Sequence, residues 1–173
     1  MIQPDLSEFI RTIPDFPQPG IQFKDITTLL KHGPSFRQAV QTFIDRYQEL
    51  HLDAIVGIES RGFLFGAPLA YQLGVGMIPV RKPGKLPAET FRMEYQLEYG
   101  TNTIEIHRDA LLPGARVLVI DDLLATGGTA AATCALIEQI GGQVVELAFL
   151  IELTFLQGRD KLRGHPIFAL IQY

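Results

Sequence analysis

Residues 117–129 (VLVIDDLLATGGT) constrain the fold of this chain more than any other stretch. The run from Val117 to Ile120 is continuously apolar, which is typical of a buried strand, and the adjacent carboxylates Asp121 and Asp122 end it. The Thr-Gly-Gly-Thr turn then leads into a helical pattern over residues 129–140. The first N–H groups of a helix lack intrahelical partners and lie at the positive end of the helix dipole. The turn is therefore predicted to bind an anion such as a phosphate.

Asp121 and Asp122 allow two kinds of binding beside that turn. They can accept hydrogen bonds from two vicinal hydroxyls, or they can hold a divalent cation. An isolated Asp-Asp pair more often caps a helix and carries a solvated charge, but the glycine turn that follows favours binding. Carboxylates next to an anion site predict a sugar phosphate as the ligand. The segment is neither a Walker loop nor a dinucleotide fingerprint, which disfavours nucleoside triphosphate hydrolysis and NAD chemistry.

Further strands alternate with helices along the chain. Strands are predicted over residues 53–58, 76–80, 144–153 and 166–171, the last at a sheet edge because it begins at a proline, and helices over 35–50 and 63–73. This alternation predicts an α/β fold with a parallel sheet covered on both faces, in which ligands bind beyond the carboxyl ends of the strands. The polar residues that follow Ile58, Val80 and Ile120 are therefore predicted to share one site.

Cations follow two of those strands. The four basic residues are Arg61, Arg81, Lys82 and Lys85. Because they are gathered beside a separate phosphate site, they favour a ligand with a second, more highly charged group such as a diphosphate. A solvated charge run is the other interpretation of the last three. Arg61, between a serine and a glycine, fits that interpretation less well.

The N-terminal region and residues 86–103 have different patterns. Residues 3–13 have the spacing of a short amphipathic helix, and prolines then predict an irregular, stiff loop over residues 15–25. That loop is either a rigid connector or a platform that presents backbone groups to a flat heterocycle. Residues 86–103 offer little core-forming surface, and their alternation predicts a flexible two-stranded flap.

Composition narrows the class of protein. A chain of 173 residues, 47% hydrophobic and 20% charged, predicts a single globular domain over residues 1–173. A net charge of −4 without a Lys/Arg run argues against nucleic acid as the main partner. The lone cysteine, Cys134, is predicted to lie in the core, and the four histidines lack the spacing of a metal site. Without a signal-peptide core or a membrane-spanning apolar stretch, we expect a cytoplasmic protein with no membrane partner.

Five segments together resemble a known family. Residues 117–129 resemble the phosphoribosyl diphosphate motif of the type I phosphoribosyltransferases. Four others resemble the signatures of one branch of that family, the adenine phosphoribosyltransferases: residues 16–26 (FPQPGIQFKDI), 57–63 (GIESRGF), 81–87 (RKPGKLP) and 97–100 (LEYG). The match runs from about residue 5 to 153. Thr28 stands where a proline is usual and Ala88 where a glycine is common, and neither should touch the chemistry.

The resemblance implies a fold and an activity. The fold would be a parallel sheet with flanking helices, a small hood that contains the base-binding loop (residues 1–33) and a flexible flap (residues 86–103). The activity would belong to purine salvage: transfer of the 5-phosphoribosyl group from phosphoribosyl diphosphate to adenine, giving AMP and diphosphate. The cofactor would be Mg²⁺, held mainly by the diphosphate. The protein would be a homodimer, with a basic residue of the diphosphate loop crossing the interface.

The resemblance also assigns residues to the sugar and its two phosphate groups. The ribose hydroxyls would be held by Asp121 and Asp122. The 5′-phosphate would be cradled by Ala125, Thr126, Gly127, Gly128 and Thr129. The diphosphate would be neutralised by Arg61, Lys82 and Lys85.

On the side of the base, the resemblance implies that Phe23 stacks on adenine while backbone groups of Gln22 and Lys24 read its edge. Glu98 would be the general acid/base, with Tyr99 beside it. Two alternatives stay open: a relative that uses another purine or pyrimidine, and a transcriptional regulator that keeps the site as a sensor. The proline loop and Phe23 favour adenine, and an acidic chain without an added nucleic-acid-binding domain disfavours the regulator.

Overall fold

The computed structural model describes residues 5–96 and 100–173. The chain divides into two compact units, Met1–Asp45 and Arg46–Tyr173. The single domain and the hood expected from the sequence stay predictions. Within the described ranges, no helix combines the length and the apolar character that crossing a membrane requires.

The first unit contains a hairpin and two helices. A 3₁₀ helix, Leu6–Phe9, precedes strands β1 (Arg11–Pro14) and β2 (Gln22–Asp25), which pair antiparallel. Two helices follow, α1 (Thr27–Lys31) and α2 (Gly33–Tyr47), and the latter crosses the boundary between the units. The proline loop thus connects two paired strands.

The amphipathic helix predicted over residues 3–13 is wrong. The helical turn ends at Phe9, and Arg11 instead pairs with Asp25 across the hairpin, where its Nε and Nη2 donate to Asp25 Oδ2 at 3.0 and 2.5 Å. The prediction of irregular structure over residues 15–25 is likewise wrong at its C-terminal end, which forms β2. Strand pairing between residues distant in sequence has outweighed the local helical spacing.

The second unit alternates strands and helices as predicted. In chain order its elements are β3 (Ala54–Ile58), α3 (Gly62–Leu73), β4 (Gly76–Val80), β5 (Thr90–Gln96), β6 (Thr101–His107), β7 (Arg116–Leu124), α4 (Gly128–Ile140), β8 (Gln143–Glu152) and β9 (Ile167–Gln172). Two 3₁₀ helices, Thr154–Leu156 and Gly158–Leu162, precede β9. Five strands form a parallel sheet in the order β4-β3-β7-β8-β9, which confirms the predicted class and the edge position of the last strand.

Both faces of this sheet are covered, which explains why β3 and the run from Val117 to Ile120 of β7 are continuously apolar. On one face Val119 belongs to a core cluster with Cys134 of α4 and Ile106 of β6. On the other face Ile120 meets α3 so closely that a Cβ at Gly66 would lie 3.1 Å from Ile120 Cγ2. Cys134 is a core residue, as predicted, and its burial raises the pKa of the thiol to about 12.

Strands β5 and β6 form the two-stranded hairpin predicted for the flap. The expectation that this segment offers little core-forming surface is wrong for one of its faces, because Phe91, Met93 and Tyr95 pack against the core cluster. Its flexibility stays a prediction. Residues 97–99, which include the predicted Glu98 and Tyr99, lie outside the described residues.

Candidate active site

A cavity of about 380 Å³ lies at the carboxyl ends of β3, β4 and β7. It is lined by residues of all three clusters that the sequence predicted to meet, namely Arg61, Lys82, Lys85, Asp121, Asp122 and Thr129. A second cavity of about 170 Å³ adjoins it, because Asp121 and Thr129 line both. The three strand ends therefore supply cations, carboxylates and an anion-binding turn to two adjoining cavities.

Strand β7 is longer than the sequence predicted. It does not end at Ile120 but stays paired with β8 as far as Leu124, opposite Glu152. On its other side the pairing with β3 stops at Ile120. Asp121 and Asp122 thus lie within a strand, yet beyond the end of its neighbour, where the cavity opens.

The phosphate loop, residues 125–129, turns β7 into α4. Gly127 is the N-cap residue with φ 78°, a left-handed conformation that favours glycine, and no side chain caps the helix. The first hydrogen bond of the helix runs from Ala131 N–H to Gly127 O at 2.9 Å. The N–H groups before Ala131 are therefore not used by the helix and face an uncapped, electropositive end, as an anion site requires.

The two carboxylates of the pair have different surroundings. Arg61 Nε donates to Asp122 Oδ2 at 2.5 Å, and the Asp122 side chain is only 7% exposed. Burial of the Asp121 carboxyl and the charge of Asp122 beside it both raise the pKa of Asp121 well above its usual value. The pair therefore resists carrying two negative charges even with Arg61 beside Asp122, and a further positive group or hydroxyl donors would favour the ionised form of Asp121.

Glu59 holds the cationic loop, residues 81–85, which follows β4 and contains Arg81, Lys82 and Lys85. The sequence did not single out Glu59. Its carboxylate accepts hydrogen bonds from the Lys82 N–H at 2.8 Å and from Arg81 Nε and Nη2 at 3.3 Å, and Lys85 Nζ lies 3.2 Å away. Burial raises the pKa of Glu59, but these hydrogen bonds outweigh burial and lower it to about 2. The only available signal was one carboxylate in a motif otherwise associated with cations.

Tyr95 is a second residue that the sequence did not single out. Thr129 Oγ1 donates to Tyr95 OH at 3.0 Å, and a Cβ at Gly128 would lie 3.2 Å from Tyr95 Cδ2. Strand β5 therefore lies against the start of α4, and Tyr95 lines the larger cavity. Its alternation with Phe91 and Met93 indicated a strand face but no contact with the phosphate loop.

The residues predicted to hold the base belong to β2 in the first unit. Phe23 packs edge-to-face with Phe16, with ring centroids 5.2 Å apart and planes at 78°. Lys24 Nζ donates to Thr12 Oγ1 at 3.0 Å, and Gln22 is exposed. Their contact with adenine stays a prediction, as do the functions of Glu98 and Tyr99.

The cavity fits a magnesium ion that arrives with its ligand. No cluster of three or more metal-ligating side chains occurs within residues 5–96 and 100–173. The cavity does place the adjacent carboxylates of Asp121 and Asp122 opposite cations suited to a diphosphate. Mg²⁺ commonly binds through one or two carboxylates together with substrate phosphates and water. The donor set suits an ion coordinated mainly by the substrate.

Comparisons with known proteins agree with this geometry. A family model described as "Phosphoribosyl transferase domain" matches residues 26–168. An adenine phosphoribosyltransferase of Chloroflexus aurantiacus is 68% identical and the match covers all of both chains. The crystal structure of an adenine phosphoribosyltransferase from Thermoanaerobacter pseudethanolicus is 55% identical, covers 97% of this chain and 98% of its own, and has a TM-score of 0.94.

A Saccharomyces cerevisiae adenine phosphoribosyltransferase, crystallised with adenine and an imino-altritol bisphosphate, is 43% identical. The match covers 95% of this chain and 96% of that one, with a TM-score of 0.90. A family model that spans most of the chain and a full-length relative of this identity agree with the site that the strand ends build. The chain belongs to the phosphoribosyl transferase family, among its adenine phosphoribosyltransferases.

Proposed function

We propose that this protein transfers the 5-phosphoribosyl group of phosphoribosyl diphosphate to N9 of adenine, forming AMP and diphosphate in purine salvage. One observation supports this above all. An uncapped helix start, a carboxylate pair and a cationic loop meet in adjoining cavities, which matches the 5′-phosphate, the ribose hydroxyls and the diphosphate of one substrate.

The sugar end of the substrate would occupy the phosphate loop and the carboxylate pair. N–H groups of residues 125–129 and the Thr126 and Thr129 hydroxyls would donate to the 5′-phosphate. Asp121 and Asp122 would accept hydrogen bonds from the two ribose hydroxyls. Such a clamp would hold the anomeric carbon at a fixed position between leaving group and base.

The leaving group would lie against the cations. Breaking the anomeric C–O bond builds negative charge on the diphosphate, and Arg61, Lys82 and Lys85 would stabilise that charge where it develops. Glu59 would hold the backbone of this loop, because Lys82 N–H already donates to it. Mg²⁺, when bound, would neutralise further charge on the diphosphate.

The base and the proton involve the residues whose placement is a prediction. Phe23 would stack on adenine, with Gln22 and Lys24 at its edge. Glu98 would take the proton that adenine loses at N9, and Tyr99 would lie beside it. Strand β5, which ends at Gln96, contacts the phosphate loop through Tyr95, and this contact supports a function of residues 86–103 in excluding water, the competing nucleophile.

We also propose that the working protein is a cytoplasmic homodimer in which one basic residue of the diphosphate loop acts across the interface. The family resemblance supports the dimer, and a single buried cysteine suits a reducing compartment. Sedimentation equilibrium would test the dimer: a monomer at every concentration that supports activity would contradict it.

The reaction is tested by incubating the protein with phosphoribosyl diphosphate, Mg²⁺ and one base at a time. We expect adenine to give AMP and diphosphate, and removal of the metal by a chelator to stop turnover. Faster turnover of guanine, hypoxanthine or uracil would contradict the choice of base. Tight binding of DNA or RNA without turnover would instead favour the sensor.

A further inference from the structure

The 3₁₀ segment after β8, Gly158–Leu162, packs directly against the phosphate loop. A Cβ at Gly158 would lie 2.2 Å from Ala125 O and 3.1 Å from Gly127 N. A Cβ at Gly127 would in turn lie 2.3 Å from Gly158 O. Backbone meets backbone here, so neither glycine leaves room for a side chain. The cavity beside the loop is lined by residues 123–130 with Asp121 and Phe149, so the segment contacts the loop rather than the ligand space.

An ion pair between a buried glutamate and a half-exposed arginine holds this segment in place. Arg159 donates to Glu152 through Nε at 2.6 Å and through Nη2 at 2.7 Å, and Gln172 Nε2 adds a bond at 2.9 Å. The Glu152 side chain is only 5% exposed. Bidentate pairs of this kind fix geometry as well as charge. Glu152 also ends β8 opposite Leu124, the last residue before the phosphate loop.

We infer that Gly158, Glu152 and Arg159 are positioning residues for the 5′-phosphate. They hold residues 125–127 from outside the cavity, and so set the direction of the N–H groups that bind the anion. The inference rests on the proposed function and adds residues from a part of the chain that none of the five sequence motifs includes.

The chain offers matched controls at the opposite end of β8. Glu146 forms the same kind of bidentate pair with Arg46, at 2.8 and 2.6 Å, with its side chain 10% exposed. Gly142 is confined less tightly, by side chains rather than by backbone, since a Cβ there would lie 2.9 Å from Ile137 Cγ2 and Leu111 Cδ1. Glu146→Gln therefore perturbs an ion pair of the same type and Gly142→Ala a glycine in a milder confinement, both far along the strand from the phosphate loop.

The test compares AMP and diphosphate binding by calorimetry in Glu152→Gln, Gly158→Ala and the two controls. AMP carries the 5′-phosphate, whereas diphosphate binds the cations and does not need the phosphate loop. We expect the first two variants to bind AMP roughly tenfold or more weakly, because small displacements of a binding group have large effects. Diphosphate affinity should stay within about twofold, and the controls should bind both ligands as the wild type does.

Three outcomes would overturn the inference. Glu152→Gln and Gly158→Ala could lose thermal stability like their controls and still bind AMP normally, which would make the segment merely structural. They could lose affinity for AMP and for diphosphate equally, which would indicate general disruption of the protein.

If Gly158→Ala does not fold, Arg159→Lys is tested in its place, since lysine keeps the charge without the bidentate geometry. If the wild type neither forms nor binds AMP, the proposed function fails, and the inference fails with it.

Discussion

Glu59→Gln tests how the cationic loop is held. Glutamine keeps the size of the side chain and one oxygen acceptor but removes the charge that three donors share. In the wild type this carboxylate bonds Lys82 N–H, Arg81 and Lys85. Loss of the negative charge should lower the free energy of unfolding of the second unit. It should also free the loop that carries Lys82 and Lys85, the predicted diphosphate ligands.

The lowered pKa of Glu59 gives the size of the expected loss of stability. Hydrogen bonds that outweigh burial lower the pKa from 4.5 to about 2. At about 1.4 kcal/mol per pKa unit, the gross stabilisation at neutral pH is about 3 kcal/mol. Arg81 and Lys85 are 31% and 50% exposed, so solvent screens part of this interaction. We expect Glu59→Gln to lower the free energy of unfolding by about 1 to 2 kcal/mol.

The lowered pKa also determines in which direction the stabilisation by Glu59 changes with pH. Because the folded pKa lies below the unfolded value, the stabilisation is present above pH 4.5 and is lost as the pH falls toward about 2. Urea unfolding at about pH 7 and about pH 3.5 should show the difference between wild type and variant shrinking by roughly two-fifths. The control is Glu89→Gln, whose side chain is 83% exposed beside Arg108. A difference that does not change with pH, or one no larger than the control's, would refute the reasoning.

Four further predictions concern the carboxylates and the hairpin. Glu98→Gln should lower turnover far more than it weakens phosphoribosyl diphosphate binding, and equal losses would contradict proton transfer. The double variant Asp121→Asn with Asp122→Asn should abolish phosphoribosyl diphosphate binding in calorimetry while circular dichroism stays native; normal affinity would refute the ribose assignment. Since the pKa of Asp121 is raised, ligand-free wild type should lose stability as the pH rises through that pKa, and Asp121→Asn should flatten the loss. Tyr95→Phe should cost about 0.5 to 1.5 kcal/mol in thermal unfolding, whereas Tyr71→Phe, at an 87% exposed position, should cost almost nothing.

Local chemistry made the central element predictable. An apolar run of four residues, a carboxylate pair and a glycine turn each carry a physical requirement that a strand, a cleft and a helix start satisfy in sequence. The structure places α4 from Gly128, one residue before the predicted start, and buries the run from Val117 to Ile120 on both faces. The alternation of strand and helix patterns is also local, and it was sufficient to predict the parallel sheet.

The contacts that complete the site were not predictable, because they join distant residues. Nothing near Arg61 indicates that it pairs with Asp122, and nothing near Glu59 indicates that it holds the backbone of Lys82. The sheet register that brings β3, β4 and β7 side by side creates both pairs. The prediction of an N-terminal helix over residues 3–13 was wrong for a related reason. The apolar residues there do have helical spacing, but the pairing of β1 with β2 determined the structure.

A crystal structure of the protein with AMP, diphosphate and Mg²⁺ would test the central claim most directly. We expect the 5′-phosphate against the N–H groups of residues 125–129 and the ribose hydroxyls within hydrogen-bond distance of Asp121 and Asp122. We expect the diphosphate beside Arg61, Lys82 and Lys85. A 5′-phosphate bound away from the start of α4, or ribose hydroxyls that contact neither carboxylate, would contradict the proposed arrangement of the site.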